Sequence, residues 1–213
     1  MQVKIFGPLV AIGILIPWIV SAAPLPRRIL VFGDSLSDGY GLNRSQAYPA
    51  LLAKKLDAAG LRCEVTNSSA PGDTTDNGLR RLAPHLKRRI DIFILELGIN
   101  DAFRGEPVEG IRKNLEEIIS KVKTRNPNVR IIVCGMQLPN HVARDYIAAF
   151  GQMYVDLAAN NHAALVPYLL EGVAGDPTLN QADYIHPSAA GQKILAENVW
   201  RVLEPLAREV ALH

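Results

Sequence analysis

The stretch Ile29-Leu30-Val31-Phe32-Gly33-Asp34-Ser35-Leu36-Ser37-Asp38-Gly39 decides how the chain is read. A run of aliphatic and aromatic residues closed by glycine reads as a buried parallel strand ending in a tight turn. In open α/β sheets ligands bind at the carboxyl ends of such strands. A serine placed there is a candidate nucleophile. The same residues also suit a plain strand-to-helix turn, with Asp34 and Ser35 bonded to local backbone. The stretch alone admits both readings, so the rest of the chain has to separate them.

Working outward, apolar runs alternate with segments of helical spacing. Tyr48 to Leu56 has helical periodicity and Gly60 as a stop. Cys63–Asn67 reads as a short strand. Asp73 or a neighbouring threonine is placed to cap the next helix, with Leu79, Leu82 and Leu86 on one face. Ile90 to Leu97 is the strongest strand, ending at Gly98-Ile99-Asn100-Asp101. A long amphipathic helix over about 107–124 carries Ile111, Leu115, Ile118, Ile119 and Val122 as its stripe. A strand over 129–134, a helix over 145–160, a fifth strand over 163–166 and a last helix over about 189–210 follow. This alternation predicts one domain, an α/β fold with helices on both faces of a parallel sheet: a three-layer α/β/α sandwich.

At 213 residues, 48% hydrophobic and with a net charge of +2, the chain is an ordinary globular one. That charge argues for neither nucleic acid nor an acidic membrane surface. Lys87-Arg88-Arg89, the one tight basic run, falls where a helix ends and suits its dipole. The first residues differ from the rest. Lys4 is followed by an apolar stretch from Ile5 to Val20, then by Ser21-Ala22-Ala23-Pro24. That is the layout of a secretory signal peptide. The stretch is short for a spanning helix and contains Pro8 and Pro17. The expected division is residues 1–22 as signal and 23–213 as the exported domain, periplasmic or secreted. With Lys4 removed, 22 basic residues face 21 acidic ones.

Four polar clusters follow strand ends: Ser35, Gly72, Asn100 and the Asp183/His186 pair. Serine needs a base within hydrogen-bond reach, which His186 could supply, with Asp183 orienting the ring. The backbone N–H groups of Ser35 and Gly72 and the Asn100 amide could receive a developing oxyanion. Gly33-Asp34-Ser35-Leu36-Ser37, Gly72-Asp73-Thr74, Gly98-Ile99-Asn100-Asp101 and Asp183-Tyr184-Ile185-His186 resemble, in order and spacing, the four blocks of the GDSL/SGNH hydrolase superfamily. Within it the chain is similar to the bacterial secreted esterases described as acyl-CoA thioesterase, lysophospholipase and arylesterase. The resemblance spans essentially the whole mature chain and includes Glu96-Leu97, Gln137-Leu138-Pro139 and Ile185-His186-Pro187. It implies a flavodoxin-like sheet of five parallel strands. It also implies Ser35 as nucleophile, His186 as general base and acid, Asp183 as its partner, and an oxyanion hole of Ser35, Gly72 and Asn100. No cofactor and no metal is implied. Departures are Pro71 and Tyr184; glycine is more usual at position 184, which bears on substrate size. Without a glycine at 37, the G-x-S-x-G elbow of ordinary α/β-hydrolases does not apply.

The remaining residues receive plainer roles. His85, His141, His162 and His213 lack metal-ligand spacing. Asp34 is expected to hold the turn and Asp101 its own loop. Glu96, in a buried strand, needs an ion pair or hydrogen bond. If the strand order is 2-1-3-4-5, Cys63 and Cys134 lie about 14 Å apart, beyond the roughly 7 Å a disulfide bridges. Both are therefore expected to be free, buried thiols. Leu169, Leu170 and Val173 could line an acyl groove or pack the core, and the Ala102–Gly105 segment is a second candidate wall. The function expected is a serine esterase or thioesterase acting on small acyl esters or thioesters, as a monomer, without nucleic acid and without stable membrane insertion after signal removal. An imidazole base implies activity falling below about pH 6.5. A carbohydrate acetyl esterase of the same superfamily and a non-catalytic binding module are the alternatives. A substrate panel separates the first; absence of turnover points to the second. A tethered scaffold on an uncleaved N-terminus would be excluded by a mature N-terminus near Ala23.

Overall fold

The computed structural model describes residues 1–3 and 25–212. Apart from its first three residues, the expected signal segment and its cleavage site lie outside them. Five strands form one sheet: β1 (Arg27–Gly33), β2 (Cys63–Asn67), β3 (Ile92–Glu96), β4 (Arg130–Cys134) and β5 (Ala164–Val166). Their order is β2-β1-β3-β4-β5, all neighbours parallel. The connecting helices are α1 (Ser35–Asp38), α2 (Tyr48–Ala58), α3 (Thr75–Arg81), α4 (Ile99–Phe103), α5 (Val108–Arg125), α6 (Arg144–Asn160) and α7 (Ala189–Ala211). α2 packs beside α7, while α5 lies between α3 and α6. These two groups make the outer layers of an α/β fold.

Each element follows from its residues. All of β3 is buried, as a central parallel strand requires, and its side chains read Ile-Phe-Ile-Leu before Glu96. Ile111, Leu115, Ile118, Ile119 and Val122 of α5 are buried at spacings of three and four residues. Each such aliphatic side chain contributes about 1.5–3 kcal/mol of burial before conformational entropy is subtracted. Among the described residues, no helix is long and apolar enough to cross a membrane.

Three local expectations are corrected. The helix expected to run past Leu86 stops at Arg81, and a 3₁₀ turn, Ala83–Lys87, follows. Pro84 opens that turn, because it lacks the N–H that would continue the α-helical ladder. β3 is shorter than Ile90–Leu97. The Ile90 N–H donates to Asn126 Oδ1, and the Leu97 carbonyl accepts from the Tyr154 hydroxyl, so both ends leave the sheet ladder. Cys134 is a buried free thiol, but Cys63 is free and only half-buried, since β2 is an edge strand. Three strand positions separate the two cysteines, as the expected order requires.

The order places a reversal between β1 and β3. The chain leaves β1 toward β2 on one side, and leaves β3 toward β4 on the other. In open sheets of this kind the loops after two such strands diverge and leave a crevice at their carboxyl ends. Ser35 follows one strand and Asn100 the other.

Candidate active site

The turn after β1 begins at Asp34, which caps α1 by accepting the Leu36 N–H at 3.0 Å. Capping by aspartate is favourable because the first N–H groups of a helix have no internal acceptor. α1 is a single turn ending at Gly39, which takes a left-handed conformation at φ +78°. Ser35 sits at its first position, 9% exposed, at the crevice.

The loop before α7 brings the other groups. His186 Nε2 lies 3.0 Å from Ser35 Oγ. His186 Nδ1 lies 2.6 Å from Asp183 Oδ2. Asp183 Oδ1 accepts the Ile185 and His186 N–H groups, both at 3.0 Å. Those bonds fold residues 183–186 into a tight turn that faces carboxylate and ring toward each other. The His186 N–H first, then the imidazole and the Ile185 N–H, hold the Asp183 carboxyl down at about 2. It is therefore ionised throughout the neutral range. Tyr184 occupies the turn at φ +58°, a conformation that favours glycine, and its side chain is exposed.

Asn100, on α4, donates its Nδ2 hydrogens to Asp34 Oδ2 at 2.9 Å and to the Asp73 carbonyl at 3.0 Å. It thereby ties the Ser35 turn to the Gly72 loop. Gly72 has φ +77°, with open space where a side chain would be. Among the described residues, neither the Ser35 nor the Gly72 N–H has a hydrogen-bond acceptor. All five residues singled out from the sequence thus lie around one crevice. A serine hydroxyl, an imidazole, an ionised carboxylate and unengaged donors together can carry out acyl transfer.

Asp101 is not part of this group. It accepts from the Thr75 N–H and the Thr75 hydroxyl, tying α4 to the start of α3. Leu169 and Val173 are wholly buried and belong to the core, so neither lines a groove; Leu170 packs against that core. Of the Ala102–Gly105 segment, Ala102 and Phe103 end α4 while Arg104 and Gly105 form the turn after it, and Arg104 donates to the Gly72 carbonyl at 3.1 Å. A separate concavity at the opposite edge of the sheet is lined by Arg27, Arg89, Asp91, Arg130 and neighbours, none of them serine, cysteine or histidine. Arg27 and Arg89 pair with Asp91 there, and Arg130 pairs with Glu209.

Three supporting residues escaped the sequence reading. Arg81 pairs with Asp73, donates to the Ser68 and Gly33 carbonyls, and lies 3.9 Å over the Phe32 ring. Its only sequence signal is an arginine at the end of the helix that follows the glycine block. Tyr40, next to the turn's last glycine, stacks obliquely on His186 with ring centres 4.7 Å apart. Gln192 joins the Tyr48 N–H to the Leu36 carbonyl, clamping the turn from α7.

Buried charge gives the site a pH signature. Burial, opposed by the Leu36 N–H, pushes the Asp34 carboxyl up to about 7. Burial and then the Asp34 charge raise Glu96 well above its ordinary value. Between about pH 4 and pH 7 the folded protein therefore holds protons that the unfolded chain has lost. Stability linked to these groups is present at the acid end of that window and falls as pH rises through it. The melting temperature is expected to be higher at pH 5.5 than at pH 8. The difference should shrink in Glu96→Gln; a steady rise across the window would contradict the assignment.

The profile of the GDSL-like lipase/acylhydrolase family matches residues 31–194. The chain is 40% identical over 181 residues to a Pseudomonas aeruginosa protein named esterase TesA, covering 84% of this chain and 89% of the relative. It is 36% identical over 179 residues to an Escherichia coli protein named thioesterase 1/protease 1/lysophospholipase L1, covering 84% of each. A crystal structure of TesA superposes with a TM-score of 0.81 at 40% identity, covering 84% of this chain and 99% of that one. With this fold and these relatives, the chain belongs to the GDSL-like lipase/acylhydrolase family and is an ester-hydrolysing enzyme.

Proposed function

We propose that the enzyme is an exported serine esterase and thioesterase that works through Ser35, His186 and Asp183. The hydrogen-bonded line from Asp183 through His186 to Ser35 Oγ carries this reading. Ser35 Oγ attacks the acyl carbonyl while His186 Nε2 takes its proton, and Asp183 stabilises the imidazolium that forms. The oxyanion receives the Ser35 and Gly72 N–H groups. Asn100 joins them by releasing or sharing one of its two present bonds. His186 returns the proton to the leaving oxygen or sulfur, and water then releases the acyl group by the same steps. No metal or cofactor enters this chemistry.

Exposed apolar side chains support acyl and aryl substrates. Tyr40, Tyr184 and Ile185 stand beside His186, and Phe103 ends the helix that carries Asn100. Export belongs to the same reading and rests on Lys4, the apolar run after it and the small residues through Ala23.

A panel of p-nitrophenyl esters of graded chain length, an acyl-CoA thioester and an acetylated sugar tests the substrate class. Turnover of the first two groups well above that of the sugar ester is expected. The reverse preference would place the enzyme among carbohydrate esterases, and silence on every substrate would favour a binding module.

A further inference from the structure

Glu96 is a carboxylic acid with no exposure to solvent, at the end of the central strand β3. Parallel register sets it opposite Gly33, one residue before the nucleophile turn. Its Oε2 accepts the Asp34 N–H at 3.1 Å and the Ser37 hydroxyl at 2.6 Å. Ser37 has a single proton and gives it to Glu96, so the Tyr48 hydroxyl donates to Ser37 Oγ, 2.7 Å away. Glu96 thus grips the residues immediately before and two after Ser35. A Cβ at Gly33 would meet the Glu96 carboxyl and lie 2.6 Å from Ser37 Oγ, so glycine at 33 makes room for the grip.

The other oxygen, Oε1, is buried and no N–H or hydroxyl reaches it. Among the described residues no arginine, lysine or histidine pairs with Glu96. The titratable groups that face it are Asp34 on the turn, Tyr48 from α2, Cys134 from β4 and Tyr154 from α6; none of them brings a positive charge. A carboxylate here would be an uncompensated buried charge with one oxygen unsatisfied. A proton on Oε1 removes the buried charge and leaves Oε2 as a carbonyl acceptor for the Asp34 N–H and the Ser37 hydroxyl.

We propose that Glu96 is a positioning residue for Ser35, acting as a neutral carboxylic acid that holds Asp34 and Ser37 and so fixes the nucleophile turn. It touches neither substrate nor reacting atoms. It sets the direction of the Ser35 N–H and the distance from Ser35 Oγ to His186. The inference rests on Ser35 being the nucleophile.

The test compares wild type, Glu96→Ala, Glu96→Gln, Ser37→Ala and Ser35→Ala on one p-nitrophenyl ester, with melting curves for each. Glu96→Ala should lower kcat about 10- to 100-fold while KM changes less than about twofold, because orientation is lost rather than binding. Glutamine presents the same carbonyl to Asp34 and Ser37 and an N–H in place of the acid O–H. Glu96→Gln should therefore recover kcat to within about fivefold of wild type, with a superimposable pH–rate profile. A folded Glu96→Ala with wild-type kcat would overturn the inference. So would a folded Glu96→Gln as impaired as the alanine variant, which would mean that the carboxylate is needed. Should Glu96→Ala not fold, Ser37→Ala removes one of the two gripped groups; a kcat loss of about 10-fold supports the inference and full kcat overturns it. An active Ser35→Ala would sink the nucleophile assignment itself. An inactive Ser35→Ala beside unaffected Glu96 and Ser37 variants sinks the positioning role alone.

Discussion

Replacing Ser35 by alanine is expected to lower kcat on p-nitrophenyl esters by about 10⁴- to 10⁶-fold at every chain length. The variant lacks the oxygen that lies 3.0 Å from His186 Nε2, so no acyl-enzyme can form. What remains is binding and the oxyanion donors acting on attack by water, which accounts for the residual rate. Ser35 Oγ makes no bond that holds the fold together apart from that to the imidazole, so the melting temperature should hardly move. A folded Ser35→Ala retaining more than a few per cent of activity would remove serine catalysis from this site.

The second large effect is expected from Asp183→Asn, about 10³- to 10⁴-fold in kcat with little loss of stability. An asparagine can keep its carbonyl on the Ile185 and His186 N–H groups, as Asp183 Oδ1 does now. Its amide N–H₂ then faces Nδ1 and holds the ring with its proton on Nε2, where it cannot accept the serine proton. Turned the other way, the amide N–H₂ meets two backbone donors and the turn opens. Either arrangement disables the base. Asp183 is held ionised down to about pH 2, so the wild-type carboxylate is present across any practical assay range. Its side chain is about two-fifths exposed, which is why the loss should appear in kcat and not in folding. Activity within tenfold of wild type would show that His186 needs no carboxylate partner.

Much of the architecture was legible in the order of residues because its signals are local. The period of Ile111, Leu115, Ile118, Ile119 and Val122 specifies a helix face whatever it packs against, and the observed burial follows it residue for residue. The apolar run before Gly33 and the one before Gly98 likewise declare buried strands. Local signals failed where a distant partner decided the outcome. β3 ends at Glu96 because Asn126 and Tyr154 take the hydrogen bonds at its two ends. Leu169 and Val173 had two equal readings, and packing in the core settled them.

The candidate site divides in the same way. Ser35, Gly72, Asn100, Asp183 and His186 carry chemistry in their side chains or their freedom of backbone, so four short blocks were enough to pick them out. Arg81, Tyr40 and Gln192 carry no such label, and Glu96 declared only that it needed a partner, not which one. Their work consists of holding other residues: Arg81 the glycine loop, Gln192 the nucleophile turn, and Tyr40 the face of the His186 ring. By itself the sequence determined the α/β class and most of its strands and helices, and it picked out the candidate reactive groups, since each depends on residue type and spacing along the chain. The tertiary structure alone decided that Ser35 and His186, 151 positions apart, stand 3.0 Å from each other. It alone decided that a buried acid closes around the turn between them, because hydrogen bonds and burial depend on distances in space that no local spacing encodes.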